Sequence, residues 1–190
     1  MPTSPTRTAR SAQDTRAAVH RAATDLFSRH GYTATGVRDI AARAGVDPAL
    51  VIRYFGSKEK LFLDTMTMRD AFAPIADEPA DRFGAALVGF LVDRVRDESG
   101  NTHVFTALLR ASDLPAVRDR LRQQISEMVD RVLAPRLRGP ELALRSRLIG
   151  AQVTGLLTAL CVLDDPVLTA APREQLVEHY GRAIQELVDS

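Results

Sequence analysis

Residues 39–60 read DIAARAGVDPALVIRYFGSKEK, and this run decides the fold. Residues 37–44 carry helical apolar spacing, and a second short helix is expected from residue 48. Gly45 can adopt the left-handed conformation that ends a helix. Asp47 can cap the next helix, and Pro48 suits its first position, where no amide hydrogen is needed. Helices of about seven residues are marginal in water when isolated. The pair therefore needs support, which an upstream helix can give if Ile40, Ala41, Ala44, Val46, Val51 and Phe55 face inward. Pro48, Ala49, Ile52, Arg53 and Tyr54 are then left outward. A short helix held with its N-terminus and one side free has the geometry of a recognition helix in a DNA major groove. A compact helical corner with no partner fits the same pattern, and the residues alone leave both readings open.

Upstream, residues 1–13 (MPTSPTRTARSAQ) are polar and aperiodic, which predicts a flexible arm. A first helix is expected after Asp14, with Val19, Ala22, Ala23, Leu26 and Phe27 on one face and Gly31 as its stop. Thr35 can cap the second helix. Ser57 can cap a fourth, running through Phe62, Met66 and Phe72 until Pro74 limits it. Beyond residue 78 the period stays helical. Phe83, Leu87, Phe90, Leu91 and Val95 make one stripe, Val104, Phe105, Leu108 and Leu109 a second, and Leu121, Ile125, Met128 and Val132 a third. Pro140 opens a long helix over 141–163, about 34 Å in length, and Pro172 starts a last one. The expectation is an all-α chain of about nine helices.

The composition is that of an ordinary globular protein, with 45% hydrophobic and 26% charged residues among 190. Cys161 is the one cysteine, so no internal disulfide can form and a reducing cytoplasm is expected. There is no apolar run of 18 residues and no secretory core near the start, so neither a membrane span nor a leader is expected. The net charge of +1 hides an asymmetry: residues 1–60 hold ten bases against five acids, the remainder 15 against 19. A basic third attached to an acidic remainder fits a polyanion at one end.

Enzyme chemistry finds no foothold. His20, His30, His103 and His179 have no metal-ligand spacing, and Cys161 lies in the apolar run LLTALCVLD as an inert thiol would. No phosphate-binding glycine loop or nucleophile elbow occurs. Neither a metal nor a cofactor is expected.

The stretch HGYTATGVRDIAARAGVDPALVIRYFGSKEKLF (residues 30–62) resembles the N-terminal domain of TetR/AcrR-type transcriptional regulators. The matching elements are Gly31-Tyr32, Thr35, Val37, Asp39-Ile40-Ala41, Ala44-Gly45-Val46, Phe55, Ser57-Lys58-Glu59 and Leu61. The resemblance implies a homodimeric regulator of a palindromic operator in double-stranded DNA, most simply a repressor released by a small apolar molecule. It further implies a helix-turn-helix domain at 14–56 and a ligand-binding, dimerising helical domain at 57–190. By position, Thr35, Gly36, Arg38, Pro48, Ala49, Ile52, Arg53, Tyr54 and Lys58 become the DNA-binding set. Arg38 would face a base, or else pair with Asp39 or Asp14. Pro48, Ala49 and Ile52 would also face bases, while Arg53, Tyr54, Lys58 and the Gly36 amide would hold phosphates. Arg7 and Arg10 either reach DNA from the arm or stay idle. The family usually carries Tyr where this chain has Ile52, which leaves room for an alternative: a helical dimeric ligand-sensing or interaction protein without sequence-specific DNA binding.

The remaining expectations concern the C-terminal part. Phe62, Met66, Phe90, Phe105 and Met128, with His103, Gln152 and Thr154 as polar points, are either core or the walls of a ligand pocket. Ala151, Gly155 and Ala159 recur every four residues beside Leu148, Leu156 and Leu163, so another helix can approach closely there. With Leu176, Tyr180, Ile184 and Leu187 they would form either a dimer interface or packing inside the subunit.

Overall fold

The computed structural model describes residues 7–68, 71–97 and 100–190. Among these residues there are ten α-helices and no strand. They divide into two compact units, one of Met1–Thr67 with Ala107–Arg120, the other of Met68–Thr106 with Leu121–Ser190.

The first unit contains α1 (Arg7–Ala34), α2 (Val37–Ala44), α3 (Pro48–Phe55) and α4 (Lys58–Thr65). The α1 backbone leaves the helical region at Gly31 (φ 77°), where the stop was expected. It starts earlier than expected, because no residue after Pro5 interrupts a helix and Ala9 and Ala12 favour one. The predicted arm is therefore helical from Arg7. Residues 1–6 and the side chains of Arg7 and Arg10 lie outside the described set. Val19, Ala23, Phe27, Ile40, Ala41, Val51, Leu61 and Phe62 form the buried centre. Phe62 meets Phe27 edge-on at 5.0 Å and Tyr32 at 5.1 Å. Arg43 of α2 pairs with Asp25 of α1 at 2.5 Å, tying the two together at the surface.

Helix α4 ends at Thr65, short of the expected Phe72. The Thr65 hydroxyl bonds back to the Leu61 and Phe62 carbonyls (2.8 and 3.1 Å), a local competition that weakens a helix end. Helix α4 clusters with the first compact unit.

The second unit holds α5 (Phe83–Arg96), the start of α6 (Gly100–Arg110), most of α7 (Pro115–Met128), α8 (Leu142–Cys161), α9 (Pro166–Ala170) and α10 (Arg173–Asp189). The sequence reading omitted α9, a five-residue helix capped by Asp165, whose carboxylate accepts from the Val167 and Leu168 amides. A π-helical turn, Val129–Leu133, continues α7.

Helices α5 and α10 meet through glycines. A methyl group on Gly84 would stand 2.2 Å from the Gly181 carbonyl oxygen, so only hydrogens fit between the backbones. The Gln185 side chain accepts from the Gly84 amide and donates to the Ala80 carbonyl, both at 2.8 Å. Asp93 and Arg173 close the other end with two hydrogen bonds of 2.6 and 2.8 Å. Two arginines act as backbone staples. Arg145, buried at 5% exposure, donates to the carbonyls of Leu187, Val188, Arg138 and Pro140. Arg136 covers the Phe83 ring at 4.7 Å and donates to the carbonyls of Ile75, Ala76, Glu78 and Val132.

Candidate nucleic-acid interface and effector pocket

Helix α3 is presented as the sequence implied. Gly45 takes the left-handed conformation (φ 68°), and the Asp47 carboxylate accepts from the Ala49 amide at 2.8 Å. Val51 and Phe55 are buried, while Pro48, Ala49, Ile52 and Arg53 are exposed and Tyr54 is half-buried. The Arg53 guanidinium lies 5.8 Å from the Tyr54 ring centre, so both can follow one strand of a polyanion. Arg38 is exposed on α2. The neighbouring Asp39 carboxylate accepts from the Gly36 amide at 2.8 Å.

Two expected contacts are differently employed. Gly36, not Thr35, is the cap residue of α2. The Thr35 hydroxyl is buried and donates to the Leu26 carbonyl at 3.2 Å, because α2 must be fastened to α1 before it can support α3. Lys58 places its ammonium 4.2 Å over the Tyr32 ring, and burial holds its pKa below the ordinary value. Arg16 went unread in the sequence, although it lies three residues before buried Val19. Its guanidinium sits 5.2 Å above the Phe55 ring at the end of α3, a placement that depends on how α1 crosses α3.

The second unit contains a two-lobed cavity. One lobe is a hollow of about 380 Å³, counting space open to solvent, between Met68, Phe72, Phe105, Gln124, Ile125, Met128, Val153, Thr154 and Leu157. The other, about 340 Å³, lies between Ala71, Phe90, Leu91 and Arg94 and shares Met68, Phe72, Phe105 and Leu157 with the first. Four expected wall residues, Phe90, Phe105, Met128 and Thr154, are therefore brought together. Four are not. Phe62 and Met66 are fully buried in the first unit, where Phe62 completes the aromatic cluster. His103 points to solvent. Gln152 does not line the cavity, and its backbone carbonyl accepts from the Tyr180 hydroxyl at 2.8 Å.

Residues 19–65 match the family model described as bacterial regulatory proteins of the tetR family, and residues 81–188 match that of the tetracyclin repressor-like C-terminal domain. The chain belongs to the TetR family. A TetR-family regulator from Streptomyces coelicolor shares the fold along the whole of both chains, with 29% identity and a TM-score of 0.66. NalD of Pseudomonas aeruginosa, the secondary repressor of a multidrug efflux pump, superposes with a TM-score of 0.66 at 20% identity over 93% of this chain and 96% of its own. An HTH-type transcriptional repressor of Mycobacterium tuberculosis is 38% identical over 91 residues, 43% of this chain. The match spans about half (48%) of that relative's length.

In this TetR-family chain the expected dimer residues divide. Leu156, Leu176 and Ile184 are buried within the chain, because the apolar stripe of α10 is consumed by packing inside the second unit. Tyr180, Leu187 and Ala159 are half-buried. Leu148 (43%) and Leu163 (70%) remain exposed, with Ala151, Gly155 and an unforeseen Leu144 (54%) along α8. Within the chain, small residues permit a close helix approach at Gly84 and Gly181.

Proposed function

We propose that this TetR-family protein is a ligand-responsive DNA-binding regulator. It acts as a repressor, binding a palindromic operator as a homodimer and leaving it when a small, largely apolar molecule occupies the second unit. The single observation that supports DNA reading best is α3 itself. Val51 and Phe55 are buried while Pro48, Ala49, Ile52 and Arg53 are outward, with Arg38 exposed on the neighbouring helix. A guanidinium there can bond guanine O6 and N7 in the major groove. Gly36, Arg53, Tyr54 and Lys58 hold phosphates, with Lys58 leaving the Tyr32 ring to do so. Reading belongs to the first unit, ligand binding and dimerisation to the second.

Homodimerisation is supported by the exposed apolar row of Leu144, Leu148, Ala151 and Gly155 on α8, with exposed Leu163 just past its end. A second copy placing the same row against it would bury these side chains about a twofold axis. Two heads on one dimer then require two half-sites, each in a major groove on one DNA face. The site of action is the cytoplasm, where the operator is. Among the described residues no helix is long and apolar enough to cross a membrane.

Ligand control needs no new contact with DNA. The effector only has to prefer a conformation whose heads miss the half-site spacing, by a few kcal/mol. A mobility-shift titration with DNA from upstream of the chain's own coding region, at 50 and 200 mM salt, tests the reading. Sequence-selective retention that weakens steeply with salt is expected. Equal retention of scrambled DNA would favour the second reading, a ligand-sensing dimer without specific DNA binding, for which the apolar Ile52 is the supporting observation.

A further inference from the structure

We infer that Ile52 is a specificity residue, through which α3 recognises the C5-methyl of a thymine in each operator half-site. This rests on the reading of α3 as the DNA-reading helix. The first amides of α3 are already engaged. Pro48 carries no amide hydrogen, the Ala49 amide donates to the Asp47 carboxylate at 2.8 Å, and the Leu50 amide donates to the Asp47 carbonyl at 3.0 Å. A helix start that satisfies its own amides does not hold a phosphate with them. The side chains at this tip are hydrocarbon. Pro48, Ala49 and Ile52 are exposed, and they share one helical face, since residues three or four apart stand about 5–6 Å from each other. None of the three has a group that can bond a donor or acceptor on a base edge.

The charges nearby decide what covers this carbon. Arg53 follows Ile52 on the same helix, Arg38 is exposed on α2, and Lys58 and Lys60 lie in the first turn of α4. Asp39 and Asp47, the carboxylates on either side of the turn, accept from the Gly36 and Ala49 amides, each at 2.8 Å. An apolar patch among cations suits a polyanion that also presents carbon. Duplex DNA is one, for its phosphates answer the cations and its major groove displays the thymine methyl. The other three bases show donors and acceptors there without a methyl, and Ile52 would strip these of water without replacing it. Ala49 and Pro48, on the same face, close the contact to solvent. Ile52 thus gives α3 a base preference that needs no hydrogen bond.

The test uses the full-length protein and a duplex operator selected with it from a random library. Each thymine is replaced in turn by uracil, which deletes the methyl and keeps the hydrogen-bonding edge. At one symmetric position the loss in affinity should be about fourfold when one half-site is altered, and about sixteenfold when both are. Ile52→Ala should bind the thymine operator more weakly and no longer distinguish uracil at that position, while other positions respond as before. Selective binding in which no uracil matters would overturn the methyl assignment while DNA reading stands. So would a uracil loss that Ile52→Ala leaves intact. If the library yields no selectively bound duplex, the reading of α3 itself fails and takes this one with it, leaving the patch to a protein partner.

Discussion

Gly84 on α5 and Gly181 on α10 lie so close that an added methyl on the first would stand 2.2 Å from the carbonyl oxygen of the second. The contact sets how deeply α10 seats on α5, and with it the burial of Phe83, Leu87, Leu91, Leu176 and Ile184. Gly→Ala in a helix normally gains about 1 kcal/mol. Here the sign should reverse: Gly84→Ala is expected to cost about 2–3 kcal/mol through overpacking. Gly181→Ala, whose methyl would meet the Ala85 backbone at 3.1 Å, should cost less. Urea midpoints of the two variants measure this directly. A gain for Gly84→Ala would mean the helices stand further apart.

Arg145 ties the start of α8 to the last turn of α10 through the Leu187 and Val188 carbonyls, and to the segment before α8 through those of Arg138 and Pro140. Replacing it by Met keeps the length and removes every donor, leaving buried acceptors without partners. A loss of about 3–5 kcal/mol is expected, larger than for any exposed arginine. Hydrogen exchange should show the end of α10 opening first. Unchanged protection there would remove the staple's role.

The Asp93–Arg173 pair makes a pH prediction. The hydrogen bond from Arg173 is the main cause that holds the Asp93 carboxyl below its ordinary value. A depressed folded pKa gives stability that is present above the unfolded value of about 3.9 and is lost as pH falls through the folded one. Both side chains are about half exposed (47% and 40%), so the contribution should be under about 1 kcal/mol. Asp93→Asn is expected to lower the urea midpoint slightly at pH 7, with the difference vanishing as pH falls through the depressed Asp93 pKa. A difference that persists in acid would assign the effect to packing.

For the reading head, Arg38→Ala should relax preference at one base pair, at a cost of about 1–3 kcal/mol on the preferred operator alone. Lys58→Ala should weaken all sequences alike and flatten the slope of log affinity against log salt by about one unit. Binding titrations on an operator library at several salt concentrations separate the two. Uniform losses for Arg38→Ala would reassign it to the phosphate backbone.

The helix-turn-helix was legible because its signals are local. Gly45, Asp47 and Pro48 mark the turn within four residues, and Ile40, Ala41, Val51 and Phe55 are buried as their spacing implied. What escaped was non-local. The contact of Gly84 with Gly181 spans nearly a hundred residues, and neither glycine stands out where it sits. Phe62 looked like a pocket wall because its partners, Phe27 and Tyr32, come from another helix. The apolar stripe of α10 was read correctly as a stripe, but periodicity does not say whether a face meets its own chain or a second one. Thr35 failed for a related reason: a hydroxyl near a helix start can cap, reach outward or turn inward, and the nearby Leu26 carbonyl decided.

Ile52, 42% exposed at the middle of the reading helix, can neither give nor accept a hydrogen bond. In a major groove its natural counterpart is the C5-methyl of thymine. A reader of carbon would not separate thymine from 5-methylcytosine, yet would notice uracil. Operator occupancy would then respond to base methylation at that step.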